Sequence, residues 1–525
     1  MWRPLAVMAA IAALALAAVQ LTFSAGALVP ADFRFVNRSE PETLDPGRMS
    51  GEPEVRIANE LFEGLTRRDP KTLAPAPGVA ERWERSADGR RWTFHLRRDA
   101  RWSDGRPVTA GDFEYAWRRL RDPATGAAYA ELLDGVRDFR AVGEHRFDVE
   151  LEAPIPYFLE LTALFPTFPV PRWAVEAHGR RWFLPEHLVG NGPFRLESWR
   201  VGDRIRLVPN PHYWARGRVK LRSIDALPVE NAVTALNLYL TDAVDWLPRE
   251  TPPELVDVLR ERDDFYSGPG MIVYFYRLNV RRPPLDDPRV RQAIGLAIDR
   301  REITDEVLRL GQIPATTLVP PGMPGYESPR SGLGYDPERA RALLAEAGFA
   351  DGGGMRELGI LYNTDEQHKK VAEVIADQLR RNLGLRVRAY NQEWQSYLAS
   401  VDAGDYDIAR AGWIGDYLDP NTFLDLWVSG AGNNGTGWSD PDYDALIAAA
   451  RAEADPARRM ALLQRAEFRL VNRGFPVLPI YFYVVSGLVK PHVEGFYTEL
   501  ELADGSRAPN LQDLHPLREV WVGEP

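Results

Sequence analysis

Apolar residues recur every three or four positions in "NTDEQHKKVAEVIADQLRRNLGLRVRAY", and one stripe of them comprises Val371, Ile375 and Leu379. This spacing predicts an amphipathic helix. Thr364 and Gln367 predict a capping box at its start, and Gly384 predicts its end.

Two further helices are predicted from their terminal residues. In "YDPERARALLAEAGF", Asp336 is placed to cap a helix that begins at Pro337, and Gly348 can close it in the left-handed region. In "DDPRVRQAIGLAIDR", Asp287 and Pro288 predict another helix start.

Strand patterns surround the first of these helices. "RELGILYN" precedes it and "GLRVRAY" follows it, which predicts a strand-helix-strand unit with parallel strands. A short helix over "EWQSYLASV" and a strand over "YDIARA" continue the α/β alternation. The segment "DYDIARAGWIGDYLDPNTFLDLW", from Asp405 to Trp427, then lies at a strand's carboxyl end, where open α/β sheets bind ligands.

The chain before about residue 270 has a different pattern. Short alternating runs such as "RWTFHLRRDA", "HRFDVELEAP" and "RIRLVPN" are separated by Gly, Pro and Asp turns. This pattern predicts a mixed, more strand-rich portion.

Length and composition place the chain among multidomain globular proteins. It has 525 residues, of which 45% are hydrophobic and 26% charged. A chain of this length exceeds the usual limit for one hydrophobic core, so we expect two or more domains. The net charge of −11 disfavours nucleic-acid binding, because no basic excess is available to displace counterions.

The N-terminus predicts export. One early Arg, an apolar run from Leu5 to Phe23 and small residues ending at Ala27 match a signal peptide over residues 1–27. The alternative is an uncleaved anchor, since the apolar run could almost span a bilayer. The chain has no cysteine, which excludes disulfides, thiolate sites and lipoprotein attachment. We expect a periplasmic protein that is not a lipoprotein, with full secretion as the alternative.

Catalytic motifs are missing from the sequence. It contains no G-x-S-x-G, HExxH or G-x-x-x-x-G-K-[ST] pattern, and "GAGNNG" at 430–435 precedes a turn, so we interpret it as a surface loop. The eight histidines show no metal-ligand spacing. We therefore expect no enzyme activity, cofactor or metal, although two distant carboxylates of a glycosidase could still meet in the fold.

Many segments in one order carry a family resemblance over essentially the whole mature chain. They include "LDPGRMSGEPE", "LFEGL", "PAPGVAERWE", "NGPFRLESW", "NPHYW", "YNTDEQHKKVAEVIADQLRRNLGLRV", "NQEWQSYL", "RAGWIGDYLDP" and "PIYFYVVSGLVKP". Together they resemble the periplasmic oligopeptide-binding proteins, the receptors of ABC importers in extracellular solute-binding protein family 5.

The resemblance implies an α/β, two-lobed periplasmic-binding-protein-like fold of class II, with an extra mixed α+β domain and a ligand cleft between the lobes. The implied boundaries are residues 1–27 for the signal peptide, 32–63, 187–271 and 485–525 for lobe I, 64–186 for extra domain II, and 272–484 for lobe III.

The resemblance also implies roles for individual residues. Asp416 matches the acid that binds a peptide's terminal ammonium, which would select ligands with a free N-terminus. A peptide would lie as a strand between backbone segments of the two lobes. Main-chain hydrogen bonds do not depend on the peptide's side chains, so varied sequences would be accepted. The matching backbone positions are Ser50, Gly51 and Glu52 on one side and Gly412, Trp413 and Ile414 on the other, with aromatic lining from Trp394, Trp413, Tyr129 and Tyr483.

Recognition of the peptide carboxylate is assigned by the same resemblance. Arg410 and His368 match basic positions that meet the C-terminus of peptides of different lengths, whereas a third basic position is Val401 here. The family's cysteine pair is replaced by Ile272 and Ile414, which suggests apolar packing instead of a covalent link.

Structural alternatives accompany each assignment. An extended backbone would hold Arg410 and Asp416 roughly 20 Å apart, so they could bracket a ligand rather than pair. Asp416 could instead cap a turn, although Asp419 is the better cap candidate, and Arg410 could form a structural ion pair. His368 could be merely exposed, and Trp394 and Trp413 could be core aromatics.

The resulting functional prediction is a monomeric receptor that binds short peptides and docks on ABC permease subunits in the inner membrane. Alternatives on the same scaffold are murein peptides, an oligosaccharide or a metal chelate. A secreted hydrolase is the alternative from another class.

Overall fold

The computed structural model describes residues 29–249, 251–502 and 505–523. Its strands in chain order are β1 (Phe33–Val36), β2 (Thr66–Arg68), β3 (Pro75–Pro77), β4 (Ala80–Arg85), β5 (Arg91–Leu96), β6 (Val136–Ala141), β7 (Arg146–Leu151), β8 (Phe194–Arg200), β9 (Arg204–Pro209), β10 (Ile224–Leu227), β11 (Trp246–Pro248), β12 (Phe265–Leu278), β13 (Ile313–Pro314), β14 (Leu358–Asn363), β15 (Val387–Gln392), β16 (Ile408–Ile414), β17 (Val477–Val489), β18 (Val493–Glu494), β19 (Glu499–Glu501), β20 (Arg507–Pro509) and β21 (Trp521–Val522).

The α-helices in chain order are α1 (Glu52–Leu61), α2 (Ala110–Arg121), α3 (Phe158–Leu161), α4 (Arg172–His178), α5 (Ala232–Leu240), α6 (Val256–Leu259), α7 (Pro288–Leu296), α8 (Pro337–Glu346), α9 (Glu366–Leu383), α10 (Trp394–Asp402), α11 (Asn421–Leu424), α12 (Pro441–Ala452) and α13 (Pro456–Arg469). Two π-helical segments, Glu302–Leu308 and Leu470–Gly474, occur as well. No helix within the described ranges combines the length and the apolar character needed to cross a bilayer.

One large mixed sheet runs through the molecule in the order β15-β14-β16-β12-β17-β11-β1-β10-β9-β8, with β13 beside β17. Strands β12 and β17 are long and antiparallel, and they connect the two ends of this sheet. Their register shifts between Pro269 and Val273, and again between Tyr274 and Phe275. Such irregularities bend paired strands, so the sheet is divided into two halves at this point.

Two large hydrophobic cores flank this division. The first core runs from Phe33 to Trp246 and includes Leu517 and Val520 from the C-terminal segment. The second core runs from Met271 to Phe482 and includes Leu511 from the C-terminal segment. We call the surrounding parts the first and second lobes, and the chain therefore builds two lobes on one continuous sheet.

The strand-rich portion predicted before residue 270 is confirmed. A separate antiparallel sheet has the order β4-β5-β7-β6 and packs on α2 within the first lobe. Strand β5 alternates buried and less buried positions, so Arg91 and His95 lie on its less buried face.

The predicted α/β unit in the second half is confirmed as well. Strand β14 pairs in parallel with β15 across α9 and also with β16. Asp336 and Asp287 cap α8 and α7 by accepting backbone N–H bonds from Arg339 and Arg289. Gly348 has the expected left-handed conformation.

The predicted capping box before α9 is wrong. Asp365 caps this helix, because its carboxylate accepts the N–H of His368 at 2.9 Å. The N–H and hydroxyl of Thr364 instead donate to the carbonyl of Gln392, which extends the β14–β15 pairing. The Gln367 amide donates to the Tyr481 hydroxyl at 3.2 Å. Gly384 ends the helix in the left-handed region as predicted.

Candidate functional site

A cleft of about 320 Å³ lies between the two lobes. The first lobe contributes the start of α1 and residues 163–166, and the C-terminal segment 511–518 contributes the floor. The second lobe contributes the end of β16 and the turn after it. Six of the predicted site residues line this cleft: Ser50, Gly51, Glu52, Tyr129, Ile414 and Asp416.

Asp416 lies two residues beyond the end of β16 and is exposed in the cleft. Its backbone N–H donates to the Thr422 hydroxyl at 3.1 Å. The Trp413 indole N–H donates to the same oxygen at 3.4 Å. Because Thr422 is buried, these bonds fix the turn that presents the Asp416 carboxylate to the cleft.

Asp419 takes the structural role that was the alternative for Asp416. Its carboxylate accepts the N–H of Asn421 at 2.9 Å and forms two bonds of 2.6 and 2.8 Å with Arg459. Both side chains of this ion pair are buried. The next helix is thereby attached to the second lobe through Asp419.

The opposite wall is formed where α1 begins. Gly51 is the N-cap of this helix, and exposed Glu52 forms an ion pair with Arg249. The Arg249 guanidinium also donates to Asp513 at 3.2 Å. Asp513 in turn contacts His515 at 2.9 Å. This chain of polar contacts joins the α1 wall to the C-terminal floor of the cleft.

Glu60 is a buried acid in the lining that sequence reasoning missed. One carboxylate oxygen accepts the N–H of Leu517 at 2.9 Å, and the other has no hydrogen-bond partner among the described residues. Burial raises the pKa of Glu60 to about 7, although the Leu517 N–H and Arg518 act in the opposite direction. The only available signal was an acid beside the apolar residues of "NELFEGL".

The part of the cleft lined by Tyr129, Phe165, Ile272 and Ile414 is apolar. The Tyr129 ring meets Phe165 edge to face, with 5.5 Å between ring centroids. Ile272 and Ile414 are direct partners on neighbouring strands, in the places where the resemblance puts a cysteine pair. Ile414 is 62% exposed, and the predicted apolar packing between the two side chains stays a prediction. The exposed Ile414 side chain adds apolar surface to the cleft.

Arg410, His368 and Tyr483 form a second group, separate from the lining that contains Asp416. The Arg410 guanidinium lies 4.7 Å from the centroid of the Tyr274 ring, and its Nη1 donates to Asn363 at 3.3 Å. Tyr274 stacks on Tyr481 at 4.6 Å, and Tyr483 lies 5.1 Å from Tyr481. The basic group is therefore enclosed by tyrosines.

Arg410 carries the positive charge of this group. Within the described residues it forms no ion pair, which counts against the structural ion-pair alternative, and its buried Nε has no hydrogen-bond partner. The His368 side chain is only 12% exposed, so the alternative of a merely exposed histidine is wrong. Burial lowers the pKa of His368 to about 4, and Arg410 acts in the same direction. The imidazole is therefore neutral near pH 7.

The remaining predicted positions lie on or near β16. Gly412 is exposed, and half-buried Trp413 packs against the second core. Val401 is buried in a small apolar cluster with Tyr397 and Tyr406. The side chain of Trp394 lies outside the described part of the structure.

The edge of β16 that faces β14 is only partly paired. Pairing with β14 covers Ile408 and Ala409, whereas pairing with β12 continues to Ile414. Within the described residues, no strand covers the backbone from Arg410 to Ile414 on the β14 side. A peptide in extended form could add to such an edge.

Comparisons with known proteins agree with this architecture. Residues 74–435 match the family "Bacterial extracellular solute-binding proteins, family 5 Middle". The periplasmic oligopeptide-binding protein OppA of Escherichia coli is 36% identical over 499 residues, which cover 90% of this chain and 91% of that protein.

Two solved structures extend the likeness to the fold. The unliganded open form of the murein tripeptide-binding protein MppA gives a TM-score of 0.80 at 33% identity, covering 94% of this chain and 98% of that one. Haemophilus influenzae OppA in complex with the peptide RPPGFSPFR gives 0.75 at 34% identity, covering 94% and 99%. The predicted two-lobed α/β fold class is confirmed.

Proposed function

The chain belongs to family 5 of the bacterial extracellular solute-binding proteins, and from this membership we propose that its cleft captures short oligopeptides for an ABC importer. The protein is a binding receptor of the periplasm. Its partners are the peptide and the permease subunits that accept it. Capture shifts the molecule toward a closed form, because contacts from both lobes to one ligand exist only when the lobes approach.

The observation that carries this proposal is the Asp416 carboxylate at the end of β16. It is exposed in a cleft whose other walls include apolar surface and the start of α1. Closing the lobes would remove this charge from water, which is tolerable only if a cation and further hydrogen bonds reach it. The α-ammonium of a free peptide supplies both, so we assign Asp416 to it.

Backbone recognition follows from the unpaired edge of β16. We propose that the peptide adds as a strand along Gly412, Trp413 and Ile414, and that Ser50, Gly51 and Glu52 approach from the other lobe. Main-chain bonds do not depend on the ligand's side chains, whereas Tyr129, Trp394, Trp413 and Tyr483 would offer adaptable aromatic surface.

For the carboxylate end we propose Arg410 as the principal partner and His368 as a neutral hydrogen-bonding partner for another peptide length. The Arg410 guanidinium is held by Tyr274 and Asn363 without a carboxylate of its own among the described residues. A peptide carboxylate would supply that missing partner.

The proposed hinge lies where β12 and β17 change register. The proposed boundaries between lobe I and lobe III, at residues 271/272 and 484/485, fall at or beside the Pro269–Val273 irregularity, which pairs with Val484 and Phe482. We further propose the boundaries 32–63 and 187–271 for lobe I and 64–186 for domain II, a cleaved signal peptide over 1–27, a monomer without lipid attachment, and no enzymatic or nucleic-acid-binding activity.

Murein peptides are the second candidate ligand class. A relative with 36% identity over 483 residues is named as a periplasmic murein peptide-binding protein, which motivates this alternative. Mass spectrometry of ligands released from the purified, denatured protein distinguishes the two classes, because murein peptides contain amino acids that ordinary peptides lack.

The proposed function is tested by calorimetric titration with one tripeptide in two forms. The free-amine form is expected to bind and the N-acetylated form to bind poorly. Equal, tight binding of both forms would contradict the ammonium assignment. Turnover of the peptide into products would support a hydrolase instead.

A further inference from the structure

Tyr417, the residue after Asp416, belongs to the opposite lobe's core. It is 6% exposed and packs in the first core. Among the described residues between 272 and 484, no other member of that core occurs. Leu418, the next residue, and Phe423, six residues further on, pack in or against the second core. The segment that follows Asp416 thus contacts the cores of both lobes.

The partner of Tyr417 across the lobes is Tyr157, between β7 and α3. The two rings stack with 4.0 Å between centroids and 11° between planes. Parallel rings at this distance contribute beyond simple burial. Tyr157 itself packs against the first core. The stack therefore joins the segment that carries Asp416 to the first lobe.

The second lobe holds the same segment from behind. The Tyr417 hydroxyl donates to Asp425 at 3.4 Å, and Asn421 donates to both Tyr417 and Asp425, at 3.2 and 2.9 Å. Asp419 is held by Arg459. A movement of the Tyr417 ring would therefore be transmitted to Asp416, which adjoins it in the chain.

We propose that Tyr157 and Tyr417 are positioning residues for Asp416, and that their stack sets the carboxylate where the peptide ammonium arrives. This proposal rests on the proposed function, since it concerns the same ammonium site. It assigns to the first lobe a part in ammonium recognition without any contact to the ligand. A stack that served only folding would stabilise the protein equally for every ligand.

The test is a titration of the Tyr157→Leu and Tyr157→Phe variants with the free-amine and N-acetylated forms of one tripeptide. Leu keeps apolar volume but cannot stack, whereas Phe keeps the ring. We expect Tyr157→Leu to weaken free-amine binding by about tenfold, the size of an aromatic pair's contribution. Binding of the acetylated form should be unchanged, and Tyr157→Phe should behave as the parent.

The Asp416→Asn background supplies the control. Tyr157→Leu should have no further effect there, because the stack would act only through the carboxylate. The proposal would be overturned if Tyr157→Leu weakened the binding of both peptide forms equally. It would also be overturned if Tyr157→Leu weakened binding about tenfold in the Asp416→Asn background. If Tyr157→Leu does not fold, Tyr157→Met, which also keeps apolar volume and removes the ring, gives the same comparison and should weaken free-amine binding alone.

Failure of this inference is distinguishable from failure of the proposed function. If the parent protein does not distinguish free from acetylated peptide, the ammonium assignment of Asp416 fails. If the parent distinguishes them and Tyr157→Leu does so equally well, only the positioning role fails.

Discussion

Asp416 and Arg410 are six residues apart, with Arg410 in the first half of β16 and Asp416 two residues beyond its end, and their side chains lie in different surroundings. The Asp416 carboxylate is exposed in the cleft, whereas the Arg410 guanidinium packs on Tyr274 and buries one nitrogen without a hydrogen bond. An exposed charge keeps its hydration until the cleft closes. A buried charge has already lost much of it during folding.

This difference indicates what each end contributes to binding. Asp416 is desolvated together with the ligand, so a ligand that brings a cation favours closure. Arg410 is already enclosed, so a carboxylate that reaches it gains a charged hydrogen bond with little further loss of water. We call Asp416 the acidic end of the site and Arg410 with His368 its basic end. We expect the acidic end to determine whether a ligand binds and the basic end to determine which peptide length is preferred.

The largest expected effect is at the acidic end. Asp416→Asn should weaken binding of free-amine peptides by on the order of 2–5 kcal/mol, as for one partner of a buried charge pair. Calorimetric titration measures it. Asp405→Asn is the matched control, because Asp405 is an exposed acid of the same lobe that pairs with Arg282 on the surface. Equal affinities of Asp416→Asn and the control would contradict the assignment.

A smaller and more selective effect is expected at the basic end. Arg410→Gln should weaken binding by about 1.5–3 kcal/mol, the size of a charged hydrogen bond, for one peptide length only. Amidation of that peptide's C-terminus should remove the effect.

Arg388→Gln is the control for this variant. Arg388 also lies over a tyrosine ring, at 5.1 Å from Tyr390, but it is exposed on β15. If Arg410→Gln weakened binding equally for all peptide lengths, Arg410 would not determine the preferred length, and the proposed difference between the roles of Asp416 and Arg410 would be wrong.

A third prediction concerns Asp425 and tests whether burial makes a carboxylate charge costly in this part of the second lobe. Burial raises the pKa of Asp425 to about 6, the charge of Arg451 lowers it, and the charge of Asp416 raises it. A raised carboxyl pKa gives stability that is complete below about pH 4 and lost as pH rises through 6. Asp425→Asn should therefore be more stable than the parent at pH 8, by about 1–2 kcal/mol.

Urea unfolding at pH 5 and pH 8 measures this difference. The gain in the free energy of unfolding should be smaller at pH 5, where the parent carboxyl is largely protonated. A variant that is less stable than the parent at pH 8 would show that the Asp425 charge is compensated within the fold.

The smallest expected effect concerns His368. Arg410 contributes to the low pKa of this histidine, so Arg410→Gln should raise it, while burial keeps it below its usual value. Titration of the imidazole by NMR measures the change. An unchanged pKa would indicate that Arg410 and His368 do not interact and that the basic end is not one unit.

Local sequence patterns predicted the helices and strands that depend on neighbouring residues. The caps at Asp287 and Asp336 and the parallel β14–β15 pair depend on contacts within short stretches of chain. The capping box at Thr364 was predicted wrongly because this residue bonds to Gln392, on a strand that local spacing does not place.

Much of the cleft could not be predicted because its contacts join distant parts of the chain. Glu60 meets Leu517, and Arg249 meets Asp513. No periodicity marks such pairs. The family resemblance supplied Asp416, but the core to which Tyr417 belongs became evident only from the three-dimensional packing.

The pairing of β12 with β17 has a consequence for the architecture of the chain. Pro269 stands opposite Val484 beside the boundary between the lobes, so the segment between them leaves and re-enters the first lobe through adjacent strands about 5 Å apart. The second lobe is thus an insertion whose two ends emerge side by side. Two covalent connections that lie side by side therefore join this module to the rest of the chain, and every other link between the lobes is a noncovalent contact such as the Tyr157–Tyr417 stack.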